Sequence, residues 1–300
     1  MAEQIKRVGV VGLGAMGIGI AQSLLRAGLE VHVCDVRAEP VQRLAAAGAH
    51  GAATPAELAS RVDALLIVVV NAAQTDQVLF GEGGAAAALA PGSVVIACAT
   101  VAPEFAEALG ARLAGMGLRC IDAPISGGAA KAAAGEMSVM ASGADDAFAP
   151  CADIFSAISG RLYRLGDQPG QGSKVKMINQ LLAGVHIAAA AEAMALGLRA
   201  GCNPDALYDV ISNSAGSSWM FQNRVPHILK GDYTPLSAVN IFVKDLGIVL
   251  DYAKKSVFPL PLSAAAHQMF MQASAAGHGG EDDSAVVKIF PGITLPAKAA

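Results

Sequence analysis

A lysine followed by two amides has residue types and spacing that suit proton transfer. Lys176 lies early in a long helical pattern, and Asn179 and Gln180 follow three and four residues later, on the same helix face. The helix dipole and neighbouring Lys174 both disfavour a further cation there, so we expect a lowered pKa for Lys176. A lysine tuned in this way can exchange a proton near neutral pH. The alternative is a solvated linker lysine, which is our interpretation of Lys174.

A glycine-rich turn near the N-terminus has the spacing of a phosphate-binding loop. An apolar run ends in G-x-G-x-x-G, and an Ala- and Leu-rich helical pattern follows. Strand, tight turn and helix N-terminus in this order suit a dinucleotide pyrophosphate. The motif alone is weak in a chain with 33 glycines, because turns and close helix packing also use glycine. Its context carries the prediction of a cofactor loop formed by Gly12, Leu13, Gly14, Ala15, Met16 and Gly17.

Asp35 follows a second apolar run and lies 18 residues after Gly17. A carboxylate at this spacing accepts hydrogen bonds from the adenosine ribose hydroxyls and repels a 2′-phosphate, which favours NAD over NADP. Arg37 follows two residues later and would soften that repulsion by pairing with a phosphate. The alternative is an aspartate that ends a strand and caps the next helix.

A second loop, at Asp122 to Gly128, follows a predicted strand at its carboxyl end, where ligands bind in open α/β sheets. The backbone N–H groups of Gly127 and Gly128, with the Ser126 hydroxyl, could form an anion-binding concavity for a substrate carboxylate. The alternative is an ordinary loop of proline and glycine, and spacing alone favours this alternative slightly.

The elements that must position these residues form an α/β pattern followed by a helical one. Short apolar runs alternate with helical segments, as in a doubly wound parallel sheet. They include Val8–Val11, Asp63–Val70, Ser93–Ala97 and Arg119–Asp122. Met137–Ala141 and Leu162–Leu165 flank a helix near Asp145–Ile158 and are expected to extend the sheet to about Gly166.

Proline and glycines at Gly166 to Gly170 mark a linker. We therefore predict a Rossmann-type NAD-binding domain at residues 1–168 and an all-helical substrate and oligomerisation domain at 169–300. A helix at about 171–200 joins them. That helix is nearly free of charge from Met177 to Ala191, so we expect it to be buried on most sides. So much apolar helical surface suggests a homodimer or homotetramer.

Composition excludes several other classes. The 300 residues are 54% hydrophobic and 15% charged, with a net charge of −4. No Lys/Arg cluster favours nucleic acid or an anionic membrane. The N-terminus lacks a signal-peptide layout, and no uncharged apolar run reaches the roughly 18 residues of a membrane span. We therefore expect a cytoplasmic protein without a nucleic-acid or membrane partner.

Cysteine and histidine spacing gives no sign of a metal centre. The five cysteines are scattered without C-x-x-C spacing and read as small buried residues, and the six histidines lack metal-ligand spacing. We expect no metal ion in the reaction.

Together the motifs resemble those of the β-hydroxyacid dehydrogenase family, which includes 3-hydroxyisobutyrate dehydrogenase and tartronate semialdehyde reductase. Four motifs agree in order over essentially the whole chain. They are G-L-G-x-M-G at Gly12–Gly17, D-x-P-V-S-G-G at Asp122–Gly128 with Ile125 in place of Val, G-x-G-x-x-x-K at Gly170–Lys176, and K-D-L at Lys244–Leu246.

The resemblance implies NAD-linked oxidation of a small hydroxy acid, with Lys176 as the general acid and base and Asn179 as a second catalytic residue. It adds Asn71, Thr100 and Lys244 to the predicted NAD contacts. The implied substrate contacts are Ser126, Gly127, Gly128, Lys176, Asn179 and Gln180. Gln180 departs from the asparagine that the family often carries there, with Asn179 one position earlier.

Within the family, polar residues favour a sugar acid. Ser217 and Ser218 add donors and acceptors to the two amides, more than an aliphatic substrate needs. We interpret Trp219 and Phe221 as residues of core or dimer packing. The second interpretation is a wall of the substrate pocket. Other enzymes that fit are a tartronate semialdehyde reductase, a 3-hydroxyisobutyrate dehydrogenase and, last because it usually lacks this lysine, an imine reductase. A non-catalytic NAD-binding sensor is the alternative outside the enzymes.

Overall fold

The computed structural model describes residues 4–298. The chain divides into two compact units, Met1–Lys176 and Met177–Ala300. The predicted domain boundary after residue 168 stays a prediction.

The first unit contains a six-stranded parallel sheet with strand order β3-β2-β1-β4-β5-β6. This is the order of a doubly wound dinucleotide-binding sheet. Its strands are β1 Arg7–Val11, β2 Glu30–Cys34, β3 His50–Gly51, β4 Ala64–Ile67, β5 Val94–Ala97 and β6 Arg119–Asp122. The connecting helices are α1 Ala15–Arg26, α2 Ala38–Ala46, α3 Pro55–Ala59, α4 Ala72–Phe80 and α5 Pro103–Ala114. The predicted α/β fold class is confirmed.

Strand register brings the ends of the sheet strands to one edge. Val11 pairs with both Cys34 and Ile67, and Ala97 pairs with both Ile67 and Asp122. Since all these strands are parallel, the residues that follow them lie along the carboxyl edge, where such sheets bind ligands.

The expectation that the main sheet continues to about Gly166 is wrong. The later strands form a second, three-stranded sheet of β7 Ile125–Ser126, β8 Met137–Ala141 and β9 Ser159–Arg164. β8 runs antiparallel to β7 and parallel to β9. Pro124 has no N–H to donate, so the parallel ladder beside β5 cannot continue through it. The Pro124 carbonyl instead accepts a hydrogen bond from Met140 N.

The helix expected near Asp145–Ile158 is broken into α7 Asp145–Phe148, a 3₁₀ turn at Ala149–Cys151 and α8 Ala152–Ile158. Pro150 lies at the break and removes a donor from the helical ladder. α6 Gly128–Ala134 lies between β7 and β8.

α9 Gln171–Arg199 contains the boundary between the two units. Within the single chain the expectation that its apolar residues are buried on most sides is wrong, because Val175, Ile178 and Leu182 are 42%, 53% and 52% exposed. By length and composition α9 could cross a membrane, a test that long helices inside soluble proteins also pass.

In the described part of the second unit the remaining regular structure is helical, as predicted. Its helices are α10 Pro204–Ser212, α11 Trp219–Lys230, α12 Val239–Lys255 and α13 Pro261–Ala273, followed by a 3₁₀ turn at Asp283–Ile289. Phe242 of α12 stacks on Phe270 of α13 with ring centroids 5.2 Å apart. Leu246 is fully buried, and a Cβ on Gly184 of α9 would lie 2.9 Å from it. The glycine thus lets α9 pack closely on α12.

Gly17 and Gly14 should respond differently to replacement by alanine. A Cβ on Gly17 would lie 1.9 Å from the Gly12 carbonyl oxygen, whereas a Cβ on Gly14 would meet nothing within 4 Å. We expect Gly17→Ala to lower the free energy of unfolding by about 1–3 kcal/mol through overpacking. Gly14→Ala, the matched control, should unfold like the wild type in urea. Equal losses in the two variants would contradict this account of the turn.

Candidate active site

The glycine loop has the geometry that its sequence predicts. Gly12 follows β1 with φ +94°, a conformation that favours glycine. Gly14 caps α1, which begins at Ala15, and space is open where its Cβ would be. Gly17 allows α1 to approach the Gly12 carbonyl. The turn, the open backbone and the helix N-terminus fit the pyrophosphate of a dinucleotide.

Asp35 lies directly after β2 and is tied to the glycine loop. Its Oδ2 accepts a hydrogen bond from Leu13 N at 2.6 Å, and its Oδ1 accepts from Arg37 N at 2.9 Å and Nε at 3.1 Å. Partial burial acts to raise the pKa of Asp35, but the hydrogen bonds from Arg37 and Leu13 outweigh it and lower the pKa overall. The carboxylate is therefore ionised at neutral pH, as a partner for ribose hydroxyls must be.

Asn71 and Thr100 follow the next two strands of the sheet. Asn71 caps α4, where its side chain accepts a hydrogen bond from Gln74 N at 2.9 Å. Thr100 is partly exposed three residues after β5 ends. Both lie on the carboxyl side of their strands, together with the glycine loop and Asp35.

Ser126 ends β7, Gly128 begins α6, and Gly127 lies between them. Gly127 and Gly128 both have positive φ, +135° and +76°, so the chain turns sharply here. A Cβ on Gly127 would lie 2.9 Å from Lys131, whereas one on Gly128 would meet nothing within 4 Å. Ser126 is half-buried. Exposed backbone beside a hydroxyl is consistent with the anion-binding role that the sequence predicts.

Asp122 has a role that we did not predict. Its carboxylate accepts hydrogen bonds from Gly170 N at 2.9 Å, Ser173 N at 2.8 Å and Ser173 Oγ at 2.7 Å, with Ser142 Oγ at 3.4 Å. Burial raises the pKa of Asp122, and these hydrogen bonds oppose the rise. The side chain thereby fixes the first turn of α9 to the end of β6.

The glycines of the G-x-G-x-x-x-K motif permit this close approach. Gly170 has φ +105°, and a Cβ on Gly172 would lie 2.3 Å from the Met140 carbonyl oxygen and 2.8 Å from that of Asp122. A side chain at residue 172 would therefore push α9 away from the strand ends.

Lys176 lies in the second turn of α9 and is 6% exposed. Its burial excludes a solvated linker lysine. Lys174 instead forms an ion pair with Glu107 at 2.9 Å, with 36% of its side chain exposed. The two lysines therefore occupy different environments, as their spacing from the amides suggested.

In the second unit, a chain of polar side chains joins the two amides to the K-D-L motif. Asn179 Nδ2 donates to Gln180 Oε1 at 3.0 Å, and Gln180 Nε2 donates to Asp245 Oδ2 at 2.5 Å. The Lys244 ammonium lies 2.6 Å from Asp245 Oδ1, and Asp245 is 2% exposed. Gln180, the departure from the family pattern, thus holds Asn179 and the buried carboxylate together.

Residues expected to favour a sugar acid are already engaged in local structure. Ser218 caps α11 by accepting from Phe221 N at 3.0 Å, and Ser217 Oγ accepts from Gln222 Nε2 at 3.0 Å. Phe221 is buried, as core packing predicts, but Trp219 is 57% exposed. The two serine hydroxyls are thus less available to a substrate than their residue types suggested.

Sequence reasoning missed the two buried carboxylates that organise these groups. Asp122 was noted only as the start of a loop, and Asp245 only as part of a motif. The signal for Asp122 was an aspartate at a strand end facing a helix whose first turn offers N–H groups. The predicted residues form two groups, one along the sheet edge with Lys176 and one made of Asn179, Gln180 and Lys244.

Two family models match consecutive parts of the chain. The NAD-binding domain of 6-phosphogluconate dehydrogenase matches residues 7–166. The NAD-binding domain of NADP-dependent 3-hydroxyisobutyrate dehydrogenase matches residues 170–290.

Relatives match over nearly the full length. The chain is 70% identical to L-threonate dehydrogenase of Cupriavidus necator over 98% of this chain and 99% of that one. It is 57% identical to L-threonate dehydrogenase of Escherichia coli over 96% of each. A crystal structure of 3-hydroxyisobutyrate dehydrogenase from Salmonella typhimurium is 55% identical, with a TM-score of 0.92 over 95% of this chain and 99% of that one.

These matches agree with the glycine loop, the ionised Asp35 and the buried Lys176. The protein is an enzyme that oxidises a hydroxy acid with NAD as cofactor. The chain belongs to the NAD-dependent β-hydroxyacid dehydrogenase family.

Proposed function

We propose that the substrate is L-threonate, which the enzyme oxidises to 2-dehydro-L-erythronate, the 2-oxo acid. The observation that carries this proposal is the 70% identity to an L-threonate dehydrogenase over 98% of the chain. We expect three stretches of the sequence to carry the likeness to L-threonate dehydrogenases. They are Val69–Gln74, Ser217–Phe221 and Gly280–Val286.

In this proposal the first unit holds the cofactor. The loop Gly12–Gly17 binds the pyrophosphate, Asp35 binds the adenosine ribose, and Thr100 approaches the nicotinamide end. Asn71 is a cofactor contact as well. Lys244 is a further cofactor contact. NAD, when bound, supplies the acceptor for the hydride that leaves substrate C2.

The remaining residues bind the substrate and move its proton. Ser126, Gly127 and Gly128 bind the carboxylate. Lys176 Nζ accepts the proton of the C2 hydroxyl as the C2–H bond breaks, so that the oxygen becomes a carbonyl. Asn179, held by Gln180, steadies the lysine or the reacting oxygen. The burial of Lys176 supports this role, because an amine shielded from bulk water exchanges its proton with the substrate and not with the solvent.

A second candidate substrate is 3-hydroxyisobutyrate. The solved structure with a TM-score of 0.92 and 55% identity is described as a 3-hydroxyisobutyrate dehydrogenase. On that substrate the same residues would take the proton from the C3 hydroxyl while the hydride leaves C3 for NAD, so that the product is an aldehyde and not a 2-oxo acid.

We further propose that the enzyme is a cytoplasmic homodimer or homotetramer. The exposed Val175, Ile178 and Leu182 lie along one face of α9, and a second copy of this chain would cover them. Apolar residues in such a row are typical of interfaces between identical subunits.

A panel of five acids separates the two substrates. We expect NADH formation with L-threonate to exceed that with erythronate, glycerate, 3-hydroxyisobutyrate and serine. The margin in kcat/KM over 3-hydroxyisobutyrate should reach at least about a hundredfold, because that acid carries its hydroxyl on C3, one carbon further from the carboxylate than the C2 hydroxyl that is oxidised in threonate. A preference for 3-hydroxyisobutyrate would overturn the threonate assignment.

Lys176→Ala should lower kcat by at least about a hundredfold, because the proton acceptor is lost. The Kd for NAD should stay near the wild-type value, since the glycine loop and Asp35 are unchanged. Lys174→Ala is the matched control, a lysine two residues away with a surface ion pair, and should keep wild-type turnover. Initial-rate assays of NADH formation and a calorimetric titration with NAD provide the two measurements. Wild-type turnover in Lys176→Ala would remove the assignment.

A further inference from the structure

Three side chains that the reaction does not use meet at the edge of the six-stranded sheet. His32 on β2 and His50 on β3 are direct partners in the parallel ladder, and their ring centroids lie 4.8 Å apart. Glu30 lies two residues before His32, on the same face of β2. Its Oε1 is 3.0 Å from His32 Nε2.

The three groups offer a compact set of metal ligands. One ligand atom from each of Glu30, His32 and His50 lies within 4.8 Å of the other two. Ligands bound to Zn²⁺ at about 2.0–2.2 Å lie roughly 3.3–3.5 Å apart in a tetrahedron, so the carboxylate and one imidazole are already close to that spacing. His50 and Glu30 are exposed, and their side chains can close the remaining distance.

The surrounding sheet fixes His32 in this arrangement. Its side chain is 4% exposed, and the nitrogen that would bind the ion, Nε2, already faces Glu30 Oε1 at 3.0 Å. The other two ligands face solvent, which gives an ion a path to the site.

We propose that Glu30, His32 and His50 form a binding site for a divalent transition-metal ion, with Zn²⁺ as the reference ion. Two imidazoles and one carboxylate suit Zn²⁺, Ni²⁺ or Cu²⁺ better than the oxygen-seeking Mg²⁺ or Ca²⁺. The fourth position is left to water.

The position of the site defines what the ion does. β3 has only two residues, His50 and Gly51, and the ion ties this edge strand to β2. Asp35 directly follows the carboxyl end of β2, roughly 10 Å along the strand from His32. The ion therefore stabilises the first unit without contacting the reacting groups.

The full-length enzyme, stripped with a chelator and titrated with Zn²⁺ by calorimetry, tests this proposal. We expect one ion per chain in the wild type and at least about tenfold weaker binding in His50→Ala and Glu30→Gln. The control is His278→Ala, which removes a histidine that also lies beside a glutamate, 3.1 Å from Glu281. It should bind Zn²⁺ like the wild type. Equal affinity in all four proteins, or no binding to the wild type, would overturn the proposal.

A thermal-unfolding series gives a second measurement. Zn²⁺ should raise the unfolding midpoint of the wild type and of His278→Ala, since an ion that binds only the folded state stabilises it. The shift should vanish in His50→Ala, whose substituted side chain is exposed and leaves the core intact. A shift that persists in His50→Ala would place the ion elsewhere and contradict the site.

Discussion

The carboxylate of Asp122 connects the sheet to the helix that carries the reacting lysine. It is 1% exposed and accepts from two backbone N–H groups and one hydroxyl in the Gly170–Ser173 segment at 2.7–2.9 Å. Burying a charged group is costly unless its hydrogen bonds are made, and the first turn of a helix supplies unpaired donors and the positive end of the dipole. Lys176 follows Ser173 by one turn, so its position depends on this anchor.

A second buried carboxylate acts about two turns further along the same helix. Asp245 accepts from Gln180 at 2.5 Å and pairs with Lys244 at 2.6 Å. Each carboxylate lies within its own unit, and each fixes one part of the helix segment that contains Lys176 and Asn179. The glutamine that departs from the family pattern therefore has a clear structural role. Removing either acid would leave buried donors unpaired, which costs more than an average hydrogen bond contributes.

Features set by local chemistry could be predicted from the sequence. The turn at Gly12 and the close packing at Gly17 each depend on residues near in the chain. The main strands could be predicted because strands buried on both faces read as continuous apolar runs.

Features set by pairing between distant segments could not be predicted. The second sheet depends on the antiparallel pairing of β8 with β7, the strand that follows Pro124. The role of Asp122 depends on the segment that begins at Gly170, 48 residues away. His32 and His50 are 18 residues apart and meet only through strand register. Ile178 and Leu182 look like core residues in the sequence but are exposed in the single chain, because residue type alone does not separate an exposed apolar side chain from a buried one.

The Asp122→Asn variant tests most directly whether this anchor positions the reacting lysine. The new amide donates where the carboxylate accepted, so we predict that kcat falls on the order of tenfold to a hundredfold through misplacement of Lys176. The free energy of unfolding should fall by about 1–3 kcal/mol, while the Kd for NAD stays unchanged. Asp153→Asn, which removes an exposed ion pair with Lys6, should match the wild type in all three. Wild-type kcat and stability in Asp122→Asn would contradict the account.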